Sequence, residues 1–264
     1  MNNSIKSTFS TLSMLMLLAL FISSCGSRQD IVYFQDVDMV AMSRPISNYS
    51  PVIKPDDRLT IIVAGADSDL VKPYNLNTVT FSDDYGNIGR TTTQSYLVDP
   101  NGNIDFPELG KLKLAGLTRT QATETIKTRL KDFLENPMVL IRIINFKVTV
   151  QGEVRNPGVF KIENERITLL EALGLAGDLT IQGRRDNVLV VREEGDKKVY
   201  YRVNLTSEAV FNSPVYYLAQ NDYIYVEPNN SRVKSSNIGP NTTTTLSLIS
   251  TLVTVSALII SITK

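Results

Sequence analysis

The chain has 264 residues, with 27 basic and 27 acidic side chains, one cysteine, no histidine and no tryptophan. This balance leaves no basic face for nucleic acid, and one cysteine excludes an internal disulfide. Without histidine there is no imidazole acid–base or nucleophilic scheme and no Cys/His zinc set, so neither metal nor cofactor is expected.

In chain order, Lys6 gives a positive start and Leu12–Ile22 is an apolar run too short and wrongly flanked to span a membrane. It leads into Ile22-Ser23-Ser24-Cys25-Gly26, which resembles a bacterial lipobox. Residues 1–24 therefore read as a lipoprotein signal peptide. Cys25 becomes the acylated, palmitate-bearing start of the mature chain, held in membrane lipid on the oxidising side of an exporting cell. Residues 25–48 form a polar leader.

A first unit is expected over 49–146. Pro55-Asp56-Asp57 supplies turn chemistry before Arg58–Val63, which alternates like a half-buried strand. Ala66–Ser95 is polar and reads as a long loop or hairpin excursion. Asp99-Pro100-Asn101-Gly102 makes a turn, and Ile104–Leu114 gives short strands broken at Pro107 and Gly110. Thr118 opens a helix with Gln121 in the reciprocal capping position. Its expected buried stripe is Ala122, Ile126, Leu130, Phe133 and Leu134, and Asn136-Pro137 ends it. Met138–Ile144 follows as a strand rich in branched residues.

A second unit is expected over 147–228. Lys147–Gln151 is a strand, and Gly152–Val159, with Pro157 and Gly158, turns into the next one. Thr168 caps a helix with Glu171, packing Leu169, Leu170, Leu173 and Leu175 inward until Gly177 stops it. Val188–Val191 and Val199–Leu205 form a hairpin across Gly195-Asp196, and Tyr223–Val226 closes the unit. A small sheet wrapped over one helix is β-grasp-like, so the fold class is α+β. Residues 229–242 read as a tether.

Residues 243–263 carry no charge and at about 1.5 Å per residue reach roughly 31 Å, the depth of a bilayer core, which makes them a single transmembrane helix. Ser247, Ser250, Thr251, Thr254 and Ser261 fall on one stripe of that helix, interrupted by Leu258, with Ser256 opposite. Several copies in a ring can turn apolar sides to lipid and these hydroxyls to a water-filled lumen. Two plainer readings stand beside it: hydroxyls bonded back to the helix's own carbonyls, and close helix packing through small residues.

Carboxylates for two-carboxylate glycoside chemistry exist at Asp83, Asp84, Asp99, Asp105 and Glu108. All sit in turn-like contexts where Asp makes Asx-turns or faces water, so no catalytic role is assigned and no enzyme is expected. No phosphate loop is present. A metal reading of Asp56-Asp57 yields to a turn packed on Arg58. A late cluster of aromatics (Tyr200, Tyr201, Phe211, Tyr216, Tyr217, Tyr223 and Tyr225) is a conceivable sugar surface, though alternation puts about half on the core side.

Taken together these motifs resemble a known family. The run Tyr49–Ile61 with Pro55, Asp56 and Asp57, then Val98–Ile104 with Gly102, Pro107, Gly110, Gly116–Thr118 and Asn136-Pro137, is similar to the polysaccharide biosynthesis/export domain. Gln151–Val154 with Gly152, Asn156–Val159, and Glu171–Gly177 resemble the SLBB (soluble-ligand-binding β-grasp) domain that follows it. Ile31–Asp36 resembles the form common in Bacteroidetes. The resemblance, to Wza-type outer-membrane lipoproteins, implies an export channel for capsular or extracellular polysaccharide. It implies a homo-oligomeric ring of about eight subunits and an inner-membrane co-polymerase linked to a tyrosine kinase. One departure is the single β-grasp unit, where the long exporters carry two. A soluble-ligand-binding module and a scaffold lipoprotein docking beneath a separate β-barrel are the rival readings.

Overall fold

The computed structural model describes residues 28–37, 49–75, 77–80, 90–236 and 240–262. The expected anchor Cys25, the carboxylates Asp83 and Asp84, and Thr263 lie outside the described residues.

The first unit is built on β1 (Arg58–Ala64), where Leu59, Ile61 and Val63 are buried and the residues between them face outward. The turn before it places Asp56 at φ 68°, and the backbone N–H of Lys54 donates to Asp57 Oδ2 at 2.8 Å. The stretch 66–95 holds a short helix α1 (Ser68–Val71), capped by Asp67, and a hairpin of β2 (Asn77–Thr80) with β3 (Arg90–Thr93). Asn75 clamps this excursion to the sheet: it accepts from the Val63 N–H and donates to the Val63 carbonyl.

β4 (Tyr96–Leu97) returns to pair with β1, and β5 (Asn103–Phe106) with β6 (Gly110–Lys113) makes the next hairpin. α2 (Arg119–Leu130) begins with the reciprocal Thr118–Gln121 cap. Ala122, Ile126 and Leu130 are fully buried, and each large apolar side chain contributes about 1.5–3 kcal/mol. Phe133 departs from the expected stripe and is 59% exposed, because the helix ends at Leu130 and the last turn's phase no longer applies. β7 (Met138–Ile143) then pairs antiparallel along the whole of β1.

The second unit holds β8 (Lys147–Gly152), β9 (Gly158–Lys161), α3 (Leu169–Leu175), β10 (Gly183–Glu194), β11 (Lys197–Val203) and β12 (Tyr223–Pro228). Their order in one sheet is β11-β10-β12-β8-β9, with β12 and β8 parallel and every other neighbour antiparallel. α3 packs on one face through Leu169, Ala172, Leu173 and Ala176. Leu175 is 51% exposed, contrary to the expected inward set, since an i, i+3, i+4, i+7 stripe from Leu169 skips it. One helix on a mixed sheet is the β-grasp arrangement, and the chain as a whole is α+β.

Beyond β12 come α4 (Asn230–Ser236), tied back by Arg232 Nε to Glu153 Oε1 at 3.2 Å, and α5 (Pro240–Ile262). The transmembrane helix expected over 243–263 corresponds to α5. α5 is helical for 23 residues, yet among the described residues no helix is long and apolar enough to cross a membrane. Ser and Thr recur along α5, at 244, 245, 247, 250, 251, 254 and 256. Leu248, Ile249, Leu252, Val253 and Val255 are nonetheless exposed.

Candidate functional site

The two units meet along a cleft of about 730 Å³ whose walls include Lys54, Asp57, Arg142, Phe146, Lys161 and Glu163. Its sides are bridged by Arg119 Nε to Glu165 Oε1 at 3.0 Å. Tyr49, entering the first unit, stacks on Tyr217 of the second with ring centres 5.0 Å apart, and the Arg166 guanidinium lies 5.4 Å from the Tyr217 ring centre. Ile143 contributes to both apolar cores.

Asp57 is the unusual group in this cleft. It is 1% exposed and its Oδ1 has no hydrogen-bond partner among the described residues. Burial pushes its carboxyl up to about 6, against the opposing pull of the Lys54 N–H and ammonium. The expected packing on Arg58 is replaced by a turn closed on Lys54.

Most of the motif positions prove architectural. Gly152 ends β8 at φ 94°, where an added Cβ would lie 2.0 Å from the Val226 carbonyl oxygen of the parallel neighbour. Gly102, at φ 82°, would meet the Ala115 side chain at 2.5 Å. Pro55 and Asp56 form the turn before β1, Pro107 and Gly110 bracket the β5–β6 turn, and Pro157 and Gly158 start β9. Asp99 braces the turn by accepting from the Asn103 N–H at 2.8 Å, which holds its carboxyl below the usual range. Asp105 lies on the exposed face of β5 and Glu108 in the following turn at φ 61°.

Of the hydroxyls proposed to face a lumen, Ser247, Ser250, Thr251 and Thr254 are exposed on α5, and the side chain of Ser261 lies outside the described ones. Ser250 and Thr251 donate to the Ser247 carbonyl and Thr254 to that of Ser250, each at 2.8 Å. Their protons are therefore spent on their own helix, while their lone pairs stay open.

Two features escaped the sequence reading. Arg192 and Asp222 form a buried ion pair, with Nη2 2.6 Å from Oδ2 and Nε 3.0 Å from Oδ1. Arg192 also donates to the carbonyls of Pro214 and Tyr217, and Asp222 accepts from the Ala219 N–H, so the pair ties the 214–222 loop to β10. The signal was its parity: Arg192 falls in step with buried Val188 and Val190. The leader is the second. Its Phe34 and Gln35 N–H groups donate to the Leu205 and Thr206 carbonyls, and Tyr33 Oη donates to Asp178 Oδ1 at 2.5 Å. Asp36 accepts from Ser207 Oγ and the Glu208 N–H. Burial and the Asp178 carboxylate both push the Tyr33 phenol up.

Comparison with known proteins matches residues 45–144 to the family described as polysaccharide biosynthesis/export protein and residues 146–226 to the SLBB domain. An EPS I polysaccharide export outer membrane protein, EpsA, of Ralstonia solanacearum is 28% identical over 171 residues, 63% of this chain and 45% of that protein. Its counterpart in Ralstonia nicotianae is 32% identical over 108 residues, covering 39% and 28% of the two chains. The polysialic acid transport protein KpsD of Escherichia coli is 34% identical over 67 residues, 24% of this chain and 12% of its own. The chain thus spans less than half the length of these curated relatives. This chain carries a domain of the polysaccharide biosynthesis/export family at 45–144 that leads directly into an SLBB domain at 146–226.

Proposed function

We propose that this protein is a subunit of an outer-membrane channel that exports capsular or extracellular polysaccharide. The observation carrying this reading is the ordered pair of domains, shared with relatives named as polysaccharide export and transport proteins. It is a transporter component, not an enzyme: polymer moves by passive conduction, driven by inner-membrane synthesis. Cys25 carries the lipid that holds the subunit at the outer membrane, with the bulk of the chain periplasmic. About eight copies close a ring, and a co-polymerase linked to a tyrosine kinase meets it from the inner membrane.

In this ring the α5 helices gather round the exit. The exposed Leu248, Ile249, Leu252, Val253 and Val255 need cover from lipid or neighbouring helices, and the Ser247, Ser250, Thr251, Thr254 and Ser261 stripe turns inward. A second reading is supported by the hydroxyl protons being used within α5: a scaffold lipoprotein beneath a separate β-barrel needs no lumen of its own.

The test has two parts. Deleting the chain should abolish surface polysaccharide while polymer accumulates inside, and normal surface polymer would sink the export reading. A cysteine scan of Leu246–Ile262 with a membrane-impermeant thiol reagent should label 247, 250, 254 and 261 and spare 248, 252 and 259. Uniform protection would refute the lumen and favour the scaffold.

A further inference from the structure

α3 packs on the face of the second unit's sheet that buries Val148, Val150, Val188, Val190, Ile224 and Val226, while the side chains of the other face are part-buried or exposed. On the open face, Tyr223 and Tyr225 alternate with buried Ile224 and Val226 along β12. The registers Tyr200–Val191–Tyr223–Thr149–Val159 run in one row across all five strands. Tyr200 is 65% and Val159 61% exposed. None of Tyr200, Tyr223 and Tyr225 stacks on another ring among the described residues. The Tyr223 hydroxyl donates to Gln151 Oε1 at 3.0 Å, which fixes its ring.

At the β8–β9 end of the same face, Lys147 and Lys161 stand directly opposite each other, and neither is ion-paired among the described residues. Like charges in directly opposed positions destabilise a strand pair. Both lysines are exposed with no carboxylate at ion-pair distance among the described residues, which leaves them open to an anionic ligand.

We propose that this open sheet face is a docking track for an acidic polysaccharide, running across the strands with sugar rings on Tyr200 and Tyr223 and carboxylates against Lys147 and Lys161. The inference rests on the export reading and gives the polymer a chemical class. Adjacent strands lie about 4.8 Å apart, close to the length of one pyranose unit. A chain crossing the strands thus keeps step with them, and Tyr200 and Tyr223, two strands apart, take every second sugar. The C–H face of a pyranose meets the electron-rich face of a tyrosine.

The test uses the full-length lipoprotein in detergent and oligosaccharides cut from the producing cell's own surface polymer, native and with carboxyl groups reduced to alcohols. Binding is followed by calorimetry. Carboxyl reduction, Tyr200→Ala, Tyr223→Leu and Lys147→Gln/Lys161→Gln should each weaken binding about tenfold, with thermal midpoints within a few degrees of wild type. Tyr223→Leu keeps an apolar sheet residue, so loss of binding there is not loss of fold. Absent wild-type binding, equal binding by the variants, or indifference to carboxyl reduction overturns the proposal. So does a fall in the mass of the assembled particle with unchanged binding, which would make the face a subunit contact. Deletion of the chain reports separately: abolished surface polymer with unaffected track variants leaves export standing and removes only the track.

Discussion

Replacing Asp222 by alanine isolates the cost of a buried charge in the second unit. The Asp222 side chain is fully buried and that of Arg192 only 10% exposed. The substitution removes three guanidinium–carboxylate contacts of 2.6–3.2 Å and leaves Arg192 with the Pro214 and Tyr217 carbonyls alone. It also orphans the Ala219 N–H, which by itself costs about 1–3 kcal/mol. Breaking a buried pair from one side costs about 3–5 kcal/mol in all. At about 2–4 °C per kcal/mol for a chain of this size, the midpoint should fall by roughly 6–20 °C. Asp222→Asn, which retains an acceptor for Ala219, should cost less. Far-UV circular dichroism during heating gives the midpoints, and a cycle with Arg192→Met gives the coupling. A coupling energy below about 0.5 kcal/mol, the limit for independent sites, would refute the ion pair as the loop's tie.

Gly152→Ala should lower stability by at least about 2 kcal/mol in urea unfolding, because a left-handed backbone and the Val226 carbonyl both reject a Cβ. Asp57 titrates at about 6 when folded against about 3.9 unfolded, so the folded state holds the extra proton between them and stability falls as pH rises through that window. Wild type should therefore lose about 2–3 kcal/mol relative to Asp57→Asn between pH 4 and pH 7, and a flat difference would remove the burial argument. Tyr33→Phe deletes the bond to Asp178 and should cost about 1 kcal/mol. Hydrogen exchange at the Gln35 amide, which donates to Thr206, should accelerate about fivefold as the leader loosens.

Local chemistry was the most readable part of this sequence. Thr118 with Gln121 and Thr168 with Glu171 announce their helices because each cap is a short-range exchange of hydrogen bonds, and both form as expected. The β10–β11 hairpin across Gly195 was equally plain, since turn and alternation agree. Phase errors came at helix ends: Phe133 and Leu175 are apolar but fall off the stripe once the helix stops or turns past them. Asp57 and Arg192 were missed as buried groups because polarity was taken to mean exposure, although parity in β10 placed Arg192 inward. The terminal helix was legible from its long uncharged run and forms over Pro240–Ile262.

Each unit is knitted by its extremities: β1 pairs with β7 between 74 and 84 residues later, and β8 pairs with β12 after 74. A chain that emerges from one end gives β8 its neighbour β9 early, but β12 for β8 and β7 for β1 arrive only when almost the whole unit is out. Loop-closure entropy then favours late, all-at-once consolidation over piecemeal assembly. A chaperone acting on the emerging chain would accordingly meet strands still short of a neighbour, and its absence should be felt more in biogenesis than in the finished fold.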